Sequence, residues 1–109
     1  MRTLVQRTPG FTYKSTAGKS AGRRAVLRCE RILLPELAER FGTPLYVYSA
    51  GMIRKRVRAF QKAFRGVEHS ICYSVKANSN LSILRLLGKM GCGFDVVSGG
   101  ELERVLRVD

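Results

Sequence analysis

The sequence predicts an α/β fold, namely the first two to three units of a (β/α)8 barrel of the TIM type, preceded by an amino-terminal extended segment. Three short apolar stretches support this, because each is typical of a strand and is followed by a turn and by apolar residues at helical spacing. They are residues 45–48, 71–75 and 94–98. A complete barrel typically needs about 250 residues. The 109-residue chain is therefore expected to be the front piece of a larger protein, with residues 1–30 as the extended segment and residues 31–109 as the start of the barrel domain.

The extended segment contains two candidate strands, at residues 11–13 and 25–29, which a glycine-containing turn would join. Residues 1–10 show no periodicity, and we expect a mobile end there. Residues 17–20 share letters with a phosphate-binding loop, but that motif needs a glycine at position 13, where the chain has Tyr13. We therefore predict strands in this segment, and no nucleotide site.

The start of the barrel domain contains clear signals for where helices begin and end. A short helix is predicted before Gly42, because Pro35 suits a first helical turn and glycine suits a helix end. Residues 45–48 are predicted to be a strand, and Ser49 is a candidate cap for a helix over residues 51–64. That helix carries an apolar stripe formed by Ile53, Val57, Phe60 and Phe64.

The next strand ends in a lysine. By alternation, one face carries Ile71, Tyr73 and Val75, and the other carries Cys72, Ser74 and Lys76. We expect the large side chains to face helices and the small ones to face a barrel interior, where Lys76 would be partly desolvated and more nucleophilic. Barrels of this type place their chemistry where strands end. Residues 78–80 then provide a turn and a cap for a helix over residues 81–90.

A second barrel strand is predicted at residues 94–98, followed by the glycine pair at 99–100 and another helix. A helix between two strands implies a right-handed parallel crossover. Asp95, between apolar neighbours, would be costly to bury unpaired, so we expect a nearby cation or a hydrogen bond to the backbone. Adjacent parallel strands would bring Asp95 close to Lys76.

Four motifs are characteristic of a known family: GTPLYVYS at residues 42–49, YSVKAN at 73–78, ILRLL at 83–87 and GFDVVSGGEL at 93–102. Together they closely resemble the amino-terminal part of the diaminopimelate decarboxylases. Those enzymes belong to the alanine-racemase-like barrel enzymes that use pyridoxal phosphate. The resemblance extends from near Phe11 to the last residue.

The resemblance implies a function and a set of site residues. Lys76 would be the catalytic lysine that carries pyridoxal 5'-phosphate as a Schiff base, and Asp95 would lie close to that cofactor. Ser98 and Glu101 would support the site from a second layer. The full-length enzyme would be a carboxy-lyase, a homodimer that converts meso-diaminopimelate to L-lysine and CO2. In the family, early strands join a later β-domain, so we expect those of this chain to lack partners. The family's phosphate-binding loops, the acidic partner of the pyridine nitrogen and the carboxyl-terminal domain also lie downstream, so we expect the chain alone to be inactive.

Composition suggests rival interpretations. With 20 basic and 8 acidic residues, the formal net charge of +12 favours an anionic partner. However, the basic residues between positions 54 and 65 lie on the wet side of an amphipathic helix, and no nucleic-acid-binding fold accompanies them, so a solvated face is favoured. The alternatives are a racemase-like or carrier protein that binds pyridoxal phosphate, a noncatalytic nucleic-acid-binding fragment, and a nonfunctional gene fragment.

The three cysteines show no metal or redox spacing and suit buried positions in a reducing cytoplasm. No apolar run is long enough to span a membrane.

Overall fold

The computed structural model describes residues 9–16 and 24–108, which form a mixed α/β structure. The expected mobile end, for residues 1–8, and the turn around residues 17–20 lie outside the described residues. The chain divides into two units, the first running to Met52 and the second beginning at Ile53.

The first unit contains a three-stranded antiparallel sheet. Its strands are β1 (Phe11–Thr16), β2 (Arg24–Cys29) and β3 (Ile32–Leu33), in the order β1-β2-β3. Strand β1 pairs along its whole length with β2, from Phe11 opposite Cys29 to Thr16 opposite Arg24. The expectation that these early strands lack sheet partners is therefore wrong. Each strand finds a partner close by in the chain, and such antiparallel pairing needs only a short connection.

The first helix, α1 (Leu34–Phe41), begins and ends where the sequence predicts. Pro35 lies in its first turn, and Gly42 ends it with φ of 80° while donating its N–H to the Ala38 carbonyl at 2.8 Å. This positive φ suits glycine because it lacks a Cβ.

The strand predicted at residues 45–48 is wrong. These residues pair with no described strand, and Tyr46 is 86% exposed. Aromatic and β-branched residues favour strands, but a strand also needs a neighbour that accepts and donates its ladder hydrogen bonds.

Helix α2 (Ala50–Ala63) begins at the predicted cap. The Ser49 Oγ accepts a hydrogen bond from the Met52 N–H at 3.1 Å and donates one to Glu30 Oε1 at 2.8 Å, while the Gly51 N–H donates to the same carboxylate oxygen at 2.7 Å. A carboxylate at a helix amino terminus also complements the helix dipole. Within the helix, only the first half of the apolar stripe is covered, since Val57 is buried but Phe60 remains 57% exposed.

The second unit is built on two parallel strands, β4 (Cys72–Ser74) and β5 (Gly93–Asp95), with helices α3 (Leu81–Gly88) and α4 (Gly99–Leu106). Its core contains Val57, Ile83, Leu87 and Cys92, with Ile53, Ile71, Tyr73, Met90 and Phe94 packed against it. The predicted alternation is confirmed, because Tyr73 faces this core and Cys72 is exposed. The same exposure makes the expectation of a buried Cys72 wrong, although Cys29 and Cys92 are buried.

Candidate functional site

The site is organised around a single helical turn that follows β4. The strand ends at Ser74, earlier than predicted, and residues Val75–Ala77 form one turn of 3₁₀ helix that carries Lys76. Val75 has no exposed surface, whereas Lys76 is exposed. The turn is thus fixed by a buried valine and presents the neighbouring lysine outward.

Hydrogen bonds also fix the residues that follow this turn. The Asn78 N–H donates to the Val75 carbonyl at 3.1 Å, and the Tyr73 hydroxyl donates to the Asn78 carbonyl at 3.2 Å. The Asn80 N–H donates to Asn78 Oδ1 at 3.0 Å. Asn80 in turn caps α3, because its Oδ1 accepts from the N–H groups of Ser82 and Ile83. The backbone around Lys76 is therefore held from both the strand and the following helix.

Asp95 is the last residue of β5 and pairs with Ser74, the last residue of β4. Since the strands are parallel, the Lys76 turn and Asp95 lie at the same edge of the strand pair. The Ser74 Oγ donates a hydrogen bond to Asp95 Oδ2 at 3.0 Å. The hydrogen-bond partner of Asp95 is thus a side-chain hydroxyl and not the backbone group that the sequence allowed, while a cation close to Asp95 stays a prediction. No ion pair joins Lys76 to Asp95 within the described ranges.

Ser98 and Glu101 meet at the start of α4. The Ser98 Oγ accepts a hydrogen bond from the Glu101 N–H at 3.2 Å, and the Glu101 carboxylate accepts one from the Val97 N–H at 2.9 Å. This reciprocal arrangement closely resembles a helix capping box. Both side chains thus have a structural task at the helix start, and their supporting role in a site stays a prediction.

Some contacts around the site were not predicted from the sequence. Arg104, on α4, donates from Nη1 to the Ser79 carbonyl at 3.3 Å and so connects this helix to the loop that follows Lys76. An arginine on an amphipathic helix gives no signal in the sequence that would separate it from other solvated arginines. The hydroxyl of Tyr73 could have been anticipated, because a half-buried tyrosine usually finds a hydrogen-bond partner.

The electrostatic environment differs from the prediction at Lys76. The expected partial desolvation is wrong for this structure, because two short strands give the exposed lysine no enclosing wall. At the other end of the strand pair, burial raises the pKa of the Cys92 thiol, and the neighbouring Cys72 raises it further. A raised pKa keeps Cys92 protonated, so it is a poor nucleophile.

In the described part of the chain, no group of three or more His, Cys, Asp or Glu side chains is arranged to hold a metal ion.

Comparison with protein families gives a match over residues 50–109 to the pyridoxal-dependent decarboxylases, specifically to their pyridoxal binding domain. The chain is 54% identical over 84 residues to diaminopimelate decarboxylase from Pseudomonas fluorescens, covering 77% of this chain and 20% of that protein. It is 52% identical over 80 residues to the enzyme of the same name from Neisseria meningitidis serogroup B, covering 73% and 19%. The chain thus spans about a fifth of the length of the curated relatives that it matches.

Solved structures are also similar to this chain. The structure of AQ1208 from Aquifex aeolicus superposes with a TM-score of 0.77 at 43% identity, covering 92% of this chain and 22% of that one. Diaminopimelate decarboxylase from M. jannaschii in co-complex with L-lysine superposes with a TM-score of 0.69 at 39% identity, covering 89% and 22%. None of the helices in the described part of the chain combines the length and apolar character that crossing a bilayer would require.

Proposed function

This chain belongs to the pyridoxal-dependent decarboxylases, and from that premise we propose that it is the amino-terminal portion of a diaminopimelate decarboxylase. The reaction is the conversion of meso-diaminopimelate to L-lysine and CO2. The observation that carries this proposal is the placement of Lys76 and Asp95 at the same edge of two neighbouring parallel strands. Residues 31–109 would then begin a (β/α)8 barrel, whose chemistry lies at the carboxyl ends of its strands.

The residues at this edge fit a pyridoxal group. Its aldehyde reacts with a primary amine, and Lys76 offers one on an exposed side chain that, among the described residues, forms no hydrogen bond or ion pair. Asp95 offers a carboxylate at the same edge, where it would balance positive charge that develops near the lysine. The donor set is thus an amine and an anion at one edge, which suits this cofactor.

When bound, pyridoxal phosphate supplies an electron sink that accepts the electrons left behind as a carboxylate departs as CO2. The protein's own contribution is holding and orientation. Lys76 would hold the cofactor through Nζ, and the buried Val75 beside it would keep the lysine backbone in place. Asp95 would orient the cofactor electrostatically, and Ser98 with Glu101 would fix the start of α4.

The substrate and the assembly follow from the family. The M. jannaschii relative is described in complex with L-lysine, which supports a diamino acid as the ligand. We also propose a cytoplasmic homodimer for the complete enzyme. Because the chain spans about a fifth of its relatives, we expect the 109-residue chain alone to bind pyridoxal phosphate weakly and to release no CO2 from diaminopimelate.

Reductive trapping tests the lysine. The chain is incubated with pyridoxal phosphate, reduced with borohydride and digested, and the labelled peptide is identified by mass spectrometry. We expect the label on Lys76, its loss in Lys76→Ala and its retention in Lys55→Ala, a matched control on the exposed face of α2. Label that survives in Lys76→Ala would remove Lys76 from the proposed mechanism.

A chimera tests the reaction. The matching segment of the Pseudomonas fluorescens enzyme, about a fifth of its length, is replaced by this chain, and lysine formation from meso-diaminopimelate is measured. We expect activity within about tenfold of the parent enzyme, and none above background when Lys76→Ala is added. A folded chimera that lacks activity while the parent enzyme is active would contradict the proposal.

A further inference from the structure

We propose that Ser74 is a positioning residue whose hydroxyl holds the Asp95 carboxylate in one orientation at the edge where Lys76 lies. The inference rests on the proposed function, since it assigns a task to a neighbour of the cofactor-binding residues. It goes beyond that function because it identifies a side chain that acts on Asp95 and not on the cofactor.

The register places the two side chains together. Strands β4 and β5 pair Tyr73 with Phe94 and, at the next step, Ser74 with Asp95. Tyr73 and Phe94 both pack against the core of the second unit. Because side chains alternate along a strand, Ser74 and Asp95 project together from the opposite face. Their hydrogen bond, at 3.0 Å, closes the last pair of the ladder.

Asp95 needs such a restraint because it is exposed. An exposed carboxylate at a strand end has several staggered rotamers to choose from. Two residues earlier on the same face of β5 lies Gly93. Glycine has no side chain, so it cannot pack against the Asp95 carboxylate. The Ser74 hydroxyl therefore provides the described contact that selects one rotamer. Hydrogen bonds to charged groups are stronger than those between neutral groups, so this contact can dominate the choice.

The hydroxyl also suits its position near Lys76. As a neutral donor it fixes the carboxylate without cancelling its negative charge, whereas a cationic partner would compete with any positive charge at Lys76. Ser74 is also the residue from which the 3₁₀ turn of Lys76 starts. One side chain thus links the base of the lysine turn to the carboxylate on the neighbouring strand. Loss of the hydroxyl is expected to weaken the retention of pyridoxal phosphate by about 3- to 10-fold, the range of a single hydrogen bond.

The first experiment needs no cofactor. The Asp95 rotamer is measured by NMR from three-bond couplings in the wild-type chain and in the Ser74→Ala, Ser74→Thr and Cys72→Ala variants. We expect one dominant rotamer in the wild type, in Ser74→Thr, which keeps the hydroxyl, and in Cys72→Ala, a control on the same face of β4. Ser74→Ala should give averaged couplings, with backbone shifts elsewhere unchanged. Wild-type couplings in Ser74→Ala would overturn the inference.

The second experiment measures what the orientation does. Reductive trapping is titrated with pyridoxal phosphate, and the apparent dissociation constant should rise about 3- to 10-fold in Ser74→Ala and recover in Ser74→Thr. An unchanged constant in Ser74→Ala would overturn the positioning role even if the couplings change. Failure of the proposed function looks different: label would persist in Lys76→Ala, while the NMR couplings would still decide whether Ser74 orients Asp95.

Discussion

Removing one hydroxyl from Tyr73 should loosen the lysine turn without disturbing the core. Tyr73→Phe keeps the ring that packs against the core of the second unit, but it removes the hydrogen bond to the Asn78 carbonyl at 3.2 Å. A typical net value for such a bond is about 1 kcal/mol, which corresponds to a change of about fivefold in a local equilibrium. The Asn78 amide reports on this equilibrium, because its N–H bonds to the Val75 carbonyl across the turn.

The assay is native-state hydrogen exchange of the Asn78 amide, monitored by NMR in the wild type, Tyr73→Phe and Tyr46→Phe. We expect about fivefold faster exchange in Tyr73→Phe. Tyr46→Phe serves as the matched control, because the Tyr46 side chain is 86% exposed, and it should leave the rate unchanged. Wild-type exchange at Asn78 in Tyr73→Phe would refute the idea that the tyrosine holds this turn.

Three further predictions concern stability. Leu84→Ala should lower the free energy of unfolding by about 3 kcal/mol in a denaturant titration, because the side chain has no exposed surface; a loss below about 1 kcal/mol would contradict that burial. Asn80→Ala should cost about 1 kcal/mol by removing the cap of α3, and Asn80→Asp should restore it in the same titration. Burial raises the pKa of Cys92 above the ordinary 9.0, so folding favours the protonated thiol and stability should fall as the pH rises above 9.0; Cys92→Ala should reduce this dependence.

The features that could be predicted from the sequence are those set by neighbouring residues. Ser49 and Asn80 cap the helices that follow them, as their residue types indicate. The alternation along residues 71–75 correctly assigns Tyr73 and Val75 to the buried side. These signals act over a few residues, so no knowledge of the tertiary structure is needed to use them.

The features that could not be predicted depend on pairing between distant segments. Residues 45–48 have strand-like composition but no described partner strand. The hydrogen bond from Ser74 to Asp95 joins residues 21 positions apart and exists because of the register between β4 and β5. A shift of that register by one residue would turn one of the two side chains to the other face. The sequence indicates Asp95 as a candidate, but only the strand pairing identifies its partner.

The full burial of Val75 has a consequence for how Lys76 meets a ligand. With the backbone at its base packed into the protein, the lysine amine searches mainly the small volume that its own flexible stem reaches. Toward an aldehyde already bound at the same edge, a reactive group on a short tether behaves like a free reagent at an effective concentration of about millimolar or above. The same lysine on a loose loop would be diluted over a much larger volume. An apolar residue that never touches the cofactor would thus help to determine how often the amine and the aldehyde collide.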